Sequence, residues 1–144
     1  MSVGNITLGG TGKTPFVMLL ADLFRRKGVP AAILSRGYGG EFSGPWGVVT
    51  DGREILMSVR EAGDEPYLMS RRLREVPVLI GRKRRLSGEA AVKNFKSRVV
   101  ILDDGFQHLP LKRDLNLLLV DARHPFGNGR LFPRGVLREP LGQV

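Results

Sequence analysis

Cysteine is absent from this chain, which excludes disulfides and thiolate metal sites. No apolar run approaches the roughly 18 residues that a membrane-spanning helix needs. No secretory signal is visible either, so the cytoplasm is the expected compartment. Internal repeats and low-complexity stretches are missing. Aromatic residues are only 7% of the chain and are not interleaved with its basic residues. That argues against a nucleic-acid partner, because single strands are held by aromatic stacking between charges. Acidic residues are few, 14 against 23 Lys and Arg, for a net charge of +9. The excess is concentrated in Arg71-Arg72-x-Arg74 and Arg82-Lys83-Arg84-Arg85. Either these runs are solvated helix faces, or the partner is anionic: a nucleotide, a phosphorylated substrate or a membrane surface.

What is present is the composition of a folded domain. Hydrophobic residues make up 42% and charged residues 26% of 144 residues, enough for one α/β domain with a core. Residues 2–8 read as a strand. Residues 14–27 read as a helix, with Phe16, Val17, Leu19, Leu20, Leu23 and Phe24 near helical spacing and Gly28 placed to end it. Ala31 to Ser35 is a short buried strand. Segments 47–50 and 53–57 flank Asp51-Gly52, a hairpin signal. A helix follows that begins near Asp64 or Glu65, with Pro66 in its first turn. Then come a strand at 76–80, a basic helix at 82–95, an apolar strand at 99–102 and a last strand at 115–120. Strands alternating with helices predict an α/β fold: a P-loop NTPase-like, mostly parallel sheet with helices on both faces and a small β-hairpin insertion.

Gly9-Gly10-Thr11-Gly12-Lys13-Thr14 joins the first strand to the first helix. Glycines let backbone N–H groups converge on an anion, and the helix start adds its positive dipole end. Lys13 is placed to reach β- and γ-phosphates and Thr14 to hold Mg²⁺. The fit to G-x-x-x-x-G-K-[ST] is imperfect, since Thr7 stands where the first glycine belongs. Val99 to Asp104 has the form of an apolar strand that delivers Asp103 and Asp104 to the sheet edge where ligands gather, as metal ligands or as simple strand-end caps. Asp64, at a helix start, is either an N-cap or a general base for an attacking hydroxyl. Arg36, in the glycine-rich turn 35–40, can pair with phosphate. Gln107 and His108 follow the acid pair and can orient substrate or contact phosphate. His124, just past a strand end, reads as a loop residue.

Together these pieces resemble the tetraacyldisaccharide 4′-kinase family, the lipid A 4′-kinases of Gram-negative bacteria. The similarity runs through Val3-Gly4-Asn5-Ile6 into Gly9 to Pro15, Leu34 to Gly40, Gly63-Asp64-Glu65-Pro66, Leu102 to His108, Arg113 to Asn116 and Leu131 to Pro140. It implies transfer of the ATP γ-phosphoryl group to the 4′-hydroxyl of a tetraacylated disaccharide 1-phosphate, giving lipid IVA. It also implies Asp64 as catalytic base and Asp103 and Asp104 as metal-binding acids. ATP and Mg²⁺ are the implied cofactors. The implied partners are an anionic glycolipid and the membrane surface, at the cytoplasmic face of the bacterial inner membrane. Residues 1–144 correspond to the nucleotide-binding lobe of that family, whose members also carry an apolar anchor and a second lobe with a histidine that partners the aspartate. Two other classes stay open at this stage. One is a P-loop ATPase or GTPase switch, although no N-K-x-D base-reading motif is present. The same class takes in a nucleotide-binding module without lipid kinase activity, and the other class is a basic interaction domain with no catalysis.

Overall fold

In the computed structural model, which describes residues 1–108 and 110–143, buried strand residues alternate between two helical layers. The strands are β1 (Ser2–Gly4), β2 (Ala31–Ser35), β3 (Gly47–Thr50), β4 (Val78–Ile80), β5 (Val99–Asp103) and β6 (Asn116–Leu118). They form one sheet in the order β3-β4-β2-β5-β1-β6. All neighbours are parallel except β3, which runs antiparallel to β4 at one edge.

The helices are α1 (Lys13–Arg26), α2 (Val59–Ala62), α3 (Asp64–Arg72) and α4 (Arg84–Phe95). Ile33, Val78, Ile80 and Ile101 turn to one face and pack with Val17 and Ala21 of α1 and Met69 of α3. Leu34 and Leu79 turn to the other face and meet Ala90 and Ala91 of α4. This is the two-residue period of a strand buried on both sides. All five residues of β2 are buried, as its central place requires.

α1 ends with Arg25 and Arg26 in its last turn, where cations complement the helix dipole, and Gly28 follows at φ 67°. Its apolar stripe is wider than its buried face. Val17 and Ala21 are buried, whereas Leu19 (63% exposed) and Leu23 lie outside.

Three elements differ from the sequence expectation. β1 stops at Gly4 because residues 6–8 leave the sheet to pair with the C-terminal segment: Arg138 N–H donates to the Ile6 carbonyl at 2.7 Å and Leu8 N–H to the Val136 carbonyl at 2.6 Å. The Asp51-Gly52 turn forms, held by Asp51 Oδ1 accepting from Arg53 and Glu54 N–H. Its return arm makes only the isolated bridge Thr50–Ile55, while β3 joins the main sheet. α2 was not foreseen, although its signal is local. Ser58 and Glu61 form a reciprocal capping box, and Gly63 ends the turn at φ 86°.

Candidate active site

Because β1, β2 and β5 are parallel, their C-terminal ends deliver the glycine-rich loop, Ser35-Arg36 and Asp103-Asp104 to one edge of the sheet. A cleft of about 970 Å³ opens there. Gly9, Gly10, Thr11, Gly12, Lys13, Thr14, Arg36, Asp64, Asp103, Asp104, Gln107 and His108 all line it. His124 is not among its lining residues, and its backbone N–H closes a turn onto Asp121.

The loop takes its shape from Gly9 (φ 112°) and Gly12 (φ 79°), in the left-handed region that favours glycine. Gly12 sits at the N-cap of α1 without a side chain to accept from the first-turn amides, which leaves those donors facing the cleft. Lys13 Nζ donates to Asn5 Oδ1 at 3.0 Å and lies 3.5 Å from Asp104. Thr14 Oγ1 donates to Glu65 at 3.3 Å.

Asp103 is buried at the end of β5, and its Oδ2 accepts from Ser35 Oγ at 3.3 Å. Burial, then the negative charges of Glu65 and Asp104, push its carboxyl up to about 6; the Ser35 hydrogen bond and Lys13 act the other way. Asp104 occupies the left-handed region at φ 48°, uncommon for a residue with a side chain but tolerated best by Asp and Asn. Its carboxylate pairs with Arg138 at 3.0 Å.

The Arg82–Arg85 run is not one solvated face. Arg82, Lys83 and Arg85 are exposed, but Arg84 turns inward, is buried, and donates to the Asp103 carbonyl at 3.1 Å. Burial pulls its guanidinium below the ordinary value, and Asp103 opposes that pull.

Asp64 opens α3 but does not cap it. Gly63 holds the N-cap position and no side-chain cap bond forms, so the exposed Asp64 carboxylate is left to the cleft. The segment after β2 is bonded to α2, directly ahead of this helix start. Glu41 N–H donates to the Arg60 carbonyl at 2.9 Å and Phe42 N–H to the Glu61 carbonyl at 3.2 Å. On the other side, Arg113 fixes the loop after Asp104 by donating to the carbonyls of Gly105 (3.0 Å) and Phe106 (2.7 Å). The amide nitrogen of Gln107 is committed to the Asn5 carbonyl and Glu139, so in this arrangement Gln107 ties segments together and offers only its carbonyl oxygen to a ligand. Burial and the cations Arg84, Arg113 and Arg36 hold His108 below its ordinary value, favouring the neutral ring.

Among the described residues no group of three or more His, Asp or Glu forms a preformed metal cage. Mg²⁺ does not need one, since it is usually held by one or two carboxylates plus substrate phosphates. The residues present fit such an ion. Thr14, Asp103 and Asp104 offer hard oxygens only, and the buried Oδ1 of Asp103 has no hydrogen-bond partner.

Sequence reasoning missed Asn5, Arg84 and Arg138 as parts of this site. A signal existed for Arg84, which shares a helical face with the small residues Ser87 and Ala91, both buried. Arg138 meets Asp104 from far along the chain and had no local signature, and Asn5, although it bonds Thr7 and Lys13 nearby in sequence, sits in no periodic pattern that marks it.

The profile of the family described as tetraacyldisaccharide-1-P 4′-kinase matches residues 1–144. The tetraacyldisaccharide 4′-kinase of Desulfatibacillum aliphaticivorans is 54% identical over 140 residues, which are 97% of this chain and 38% of that protein. The kinase of Geobacter sulfurreducens is 49% identical over 144 residues, 100% of this chain and 41% of its own length. The crystal structure of LpxK from Aquifex aeolicus in complex with ATP superposes with a TM-score of 0.88 at 46% identity, covering 99% of this chain and 44% of that one. The chain thus spans about two fifths of the length of the curated relatives it matches. A profile match along the whole sequence, on a sheet that superposes with a solved member, means that this chain belongs to the tetraacyldisaccharide-1-P 4′-kinase family.

Proposed function

We propose that residues 1–144 are the nucleotide-binding lobe of a kinase that moves the γ-phosphoryl group of ATP to the 4′-hydroxyl of a tetraacyldisaccharide 1-phosphate, giving lipid IVA. One observation carries the reading: Lys13, Asp64 and the Asp103–Asp104 pair come from separate elements and line a single cleft. Family membership selects the acceptor.

Phosphoryl transfer asks a protein mainly for positioning and charge stabilisation. The loop amides of residues 9–12 and Lys13 bind the β- and γ-phosphates. Arg36, Arg84 and Arg138 add positive charge around the same cleft. Thr14, Asp103 and Asp104 would hold Mg²⁺, which when bound neutralises phosphate charge. The new bond runs from the 4′-oxygen to the γ-phosphorus, the bond from that phosphorus to the β–γ bridging oxygen breaks, and Asp64 takes the proton of the hydroxyl. His108, neutral, and the Gln107 carbonyl are placed to orient the sugar.

The anionic leaflet at the cytoplasmic face of the inner membrane is the proposed partner surface. A groove between α1 and α3 begins at Pro15, beside the cleft. It has Leu19 and Leu68 exposed and is rimmed by Arg25, Arg26, Arg53, Arg72 and Arg74. Among the described residues, no helix is long and apolar enough to cross a membrane.

The test is Asp64→Ala in the full-length protein, assayed with Mg-ATP and the lipid disaccharide. The expected outcome is a kcat lower by about 10²–10⁴ with ATP affinity nearly intact. An Asp64→Ala enzyme of full activity would remove Asp64 from the reaction.

A further inference from the structure

Asn5 is fully buried directly after β1, a place where an amide is costly unless its donors and acceptor are satisfied. Its Nδ2 donates to the Thr7 carbonyl at 2.8 Å, and its Oδ1 accepts from Lys13 Nζ at 3.0 Å. The partners fix which way the amide points, because a carbonyl only accepts and an ammonium only donates. The backbone carbonyl of Asn5 accepts from Gln107 Nε2 at 2.9 Å. One residue therefore ties the entry of the glycine-rich loop to the lysine head and to the loop after Asp104.

The glycine-rich loop has little else to hold it from within. At Gly9, Gly10 and Gly12 nothing lies within 4 Å of the place a Cβ would occupy. Lysine ends a flexible stem with freely rotating donors, so an ammonium left to itself samples many positions. Its other partner, Asp104 at 3.5 Å, is shared with Arg138.

We infer that Asn5 is a positioning residue for Lys13, holding its ammonium at the mouth of the loop where a phosphate chain is received. A neutral amide suits this task better than a carboxylate. It orients the charge without cancelling it, and it still donates to Thr7, which a carboxylate would repel. Part of the ordering that binding requires is then done before the nucleotide arrives. The inference rests on the reading of residues 9–14 as a phosphate loop.

A double-mutant cycle in the full-length protein tests it, with Mg-ATP affinity measured by equilibrium dialysis so that weak variants stay within range. Lys13→Ala is expected to weaken binding about 10²-fold or more, and Asn5→Ala about tenfold. In the Lys13→Ala background, Asn5→Ala is expected to change affinity less than about twofold, because its effect runs through the lysine. Thermal unfolding checks that each variant folds. If Asn5→Ala does not, Asn5→Ser, which keeps a donor for Thr7, enters the same cycle. A loss of the same factor in both backgrounds would make Asn5 a structural residue only and overturn the inference, as would an Asn5 variant that binds like the parent while Lys13→Ala is weakened. If Lys13→Ala itself binds as tightly as the parent, the phosphate-loop reading fails and the inference falls with it.

Discussion

Asp103 carries a charge where the fold accommodates one least. Its carboxyl is pushed from an ordinary 3.8 to about 6, chiefly by burial. Between those two values the folded chain binds more protons at this site than the unfolded chain does. Stability from this residue is therefore highest below pH 4, falls as pH rises, and is fully lost above about 6. The shift corresponds to on the order of 3 kcal/mol. Asp103→Asn removes the charge and keeps an acceptor for Ser35. In urea titrations without divalent ions, the variant is expected to be more stable than the parent at pH 7, by up to that amount, and nearly equal at pH 4. Parallel stability curves for the two proteins would mean that burial does not perturb this carboxyl. A carboxylate that the fold leaves short of partners in this way suits the cation-holding role proposed for it.

At the scale of elements, the cleft owes its shape to two close approaches of backbone. Gly40 packs so tightly on the carbonyl of Glu61 and the backbone of Ala62 and Gly63 that a Cβ there would collide with all of them. Gly63, at φ 86°, is pressed in the same way onto the Tyr38 carbonyl. The glycine-rich turn after β2 is thus a wedge behind Asp64. Gly40→Ala is expected to displace the Gly63–Asp64 turn and to lower kcat by about 10²-fold, the usual scale for an ångström of misplacement. The KM for ATP should hold within a few-fold, since Lys13 and its loop are untouched. Kinetics in the full-length protein check this, and a raised ATP KM at unchanged kcat would place the wedge against the nucleotide instead. The buried strands, the glycine-rich turn before α1 and the acids at the end of β5 were legible because each is a local pattern: a continuous apolar run, glycines before a lysine, carboxylates at a strand end. The end of β1 and the role of Gly40 were not legible. Both depend on segments far apart in sequence, residues 6–8 against 136–138 and residue 40 against 61–63. Arg84 lies between these cases, since its charge suggested solvent while the small residues on its helical face pointed inward.

At the scale of the whole molecule, the charge of +9 is not spread evenly, and the fold separates the two basic runs. α3, which carries Arg71 and Arg72, covers one face of the sheet together with α1, and α4 covers the other. A planar anionic surface lying along α1 and α3 therefore does not meet α4. The α1–α3 side has the stronger claim. Its groove joins exposed Leu19 and Leu68 to five arginines. Arg25 and Arg26 are already paired with Asp22 or Glu75, which leaves Arg53, Arg72 and Arg74 without an ion pair among the described residues. Each such cation near an anionic leaflet is worth about 1 kcal/mol, so replacing all of them by Gln should weaken vesicle binding about 10²-fold at low salt. Screening shortens their reach to about 8 Å at physiological ionic strength, so binding should also fall steeply as salt is raised. Replacing Arg82, Lys83 and Arg85 is expected to change binding only a few-fold, with Arg84 left in place because it belongs to the cleft. Sedimentation with vesicles of anionic and of zwitterionic lipid measures both sets. Equal losses from the two sets would show that net charge, not the α1–α3 face, draws the protein to the surface.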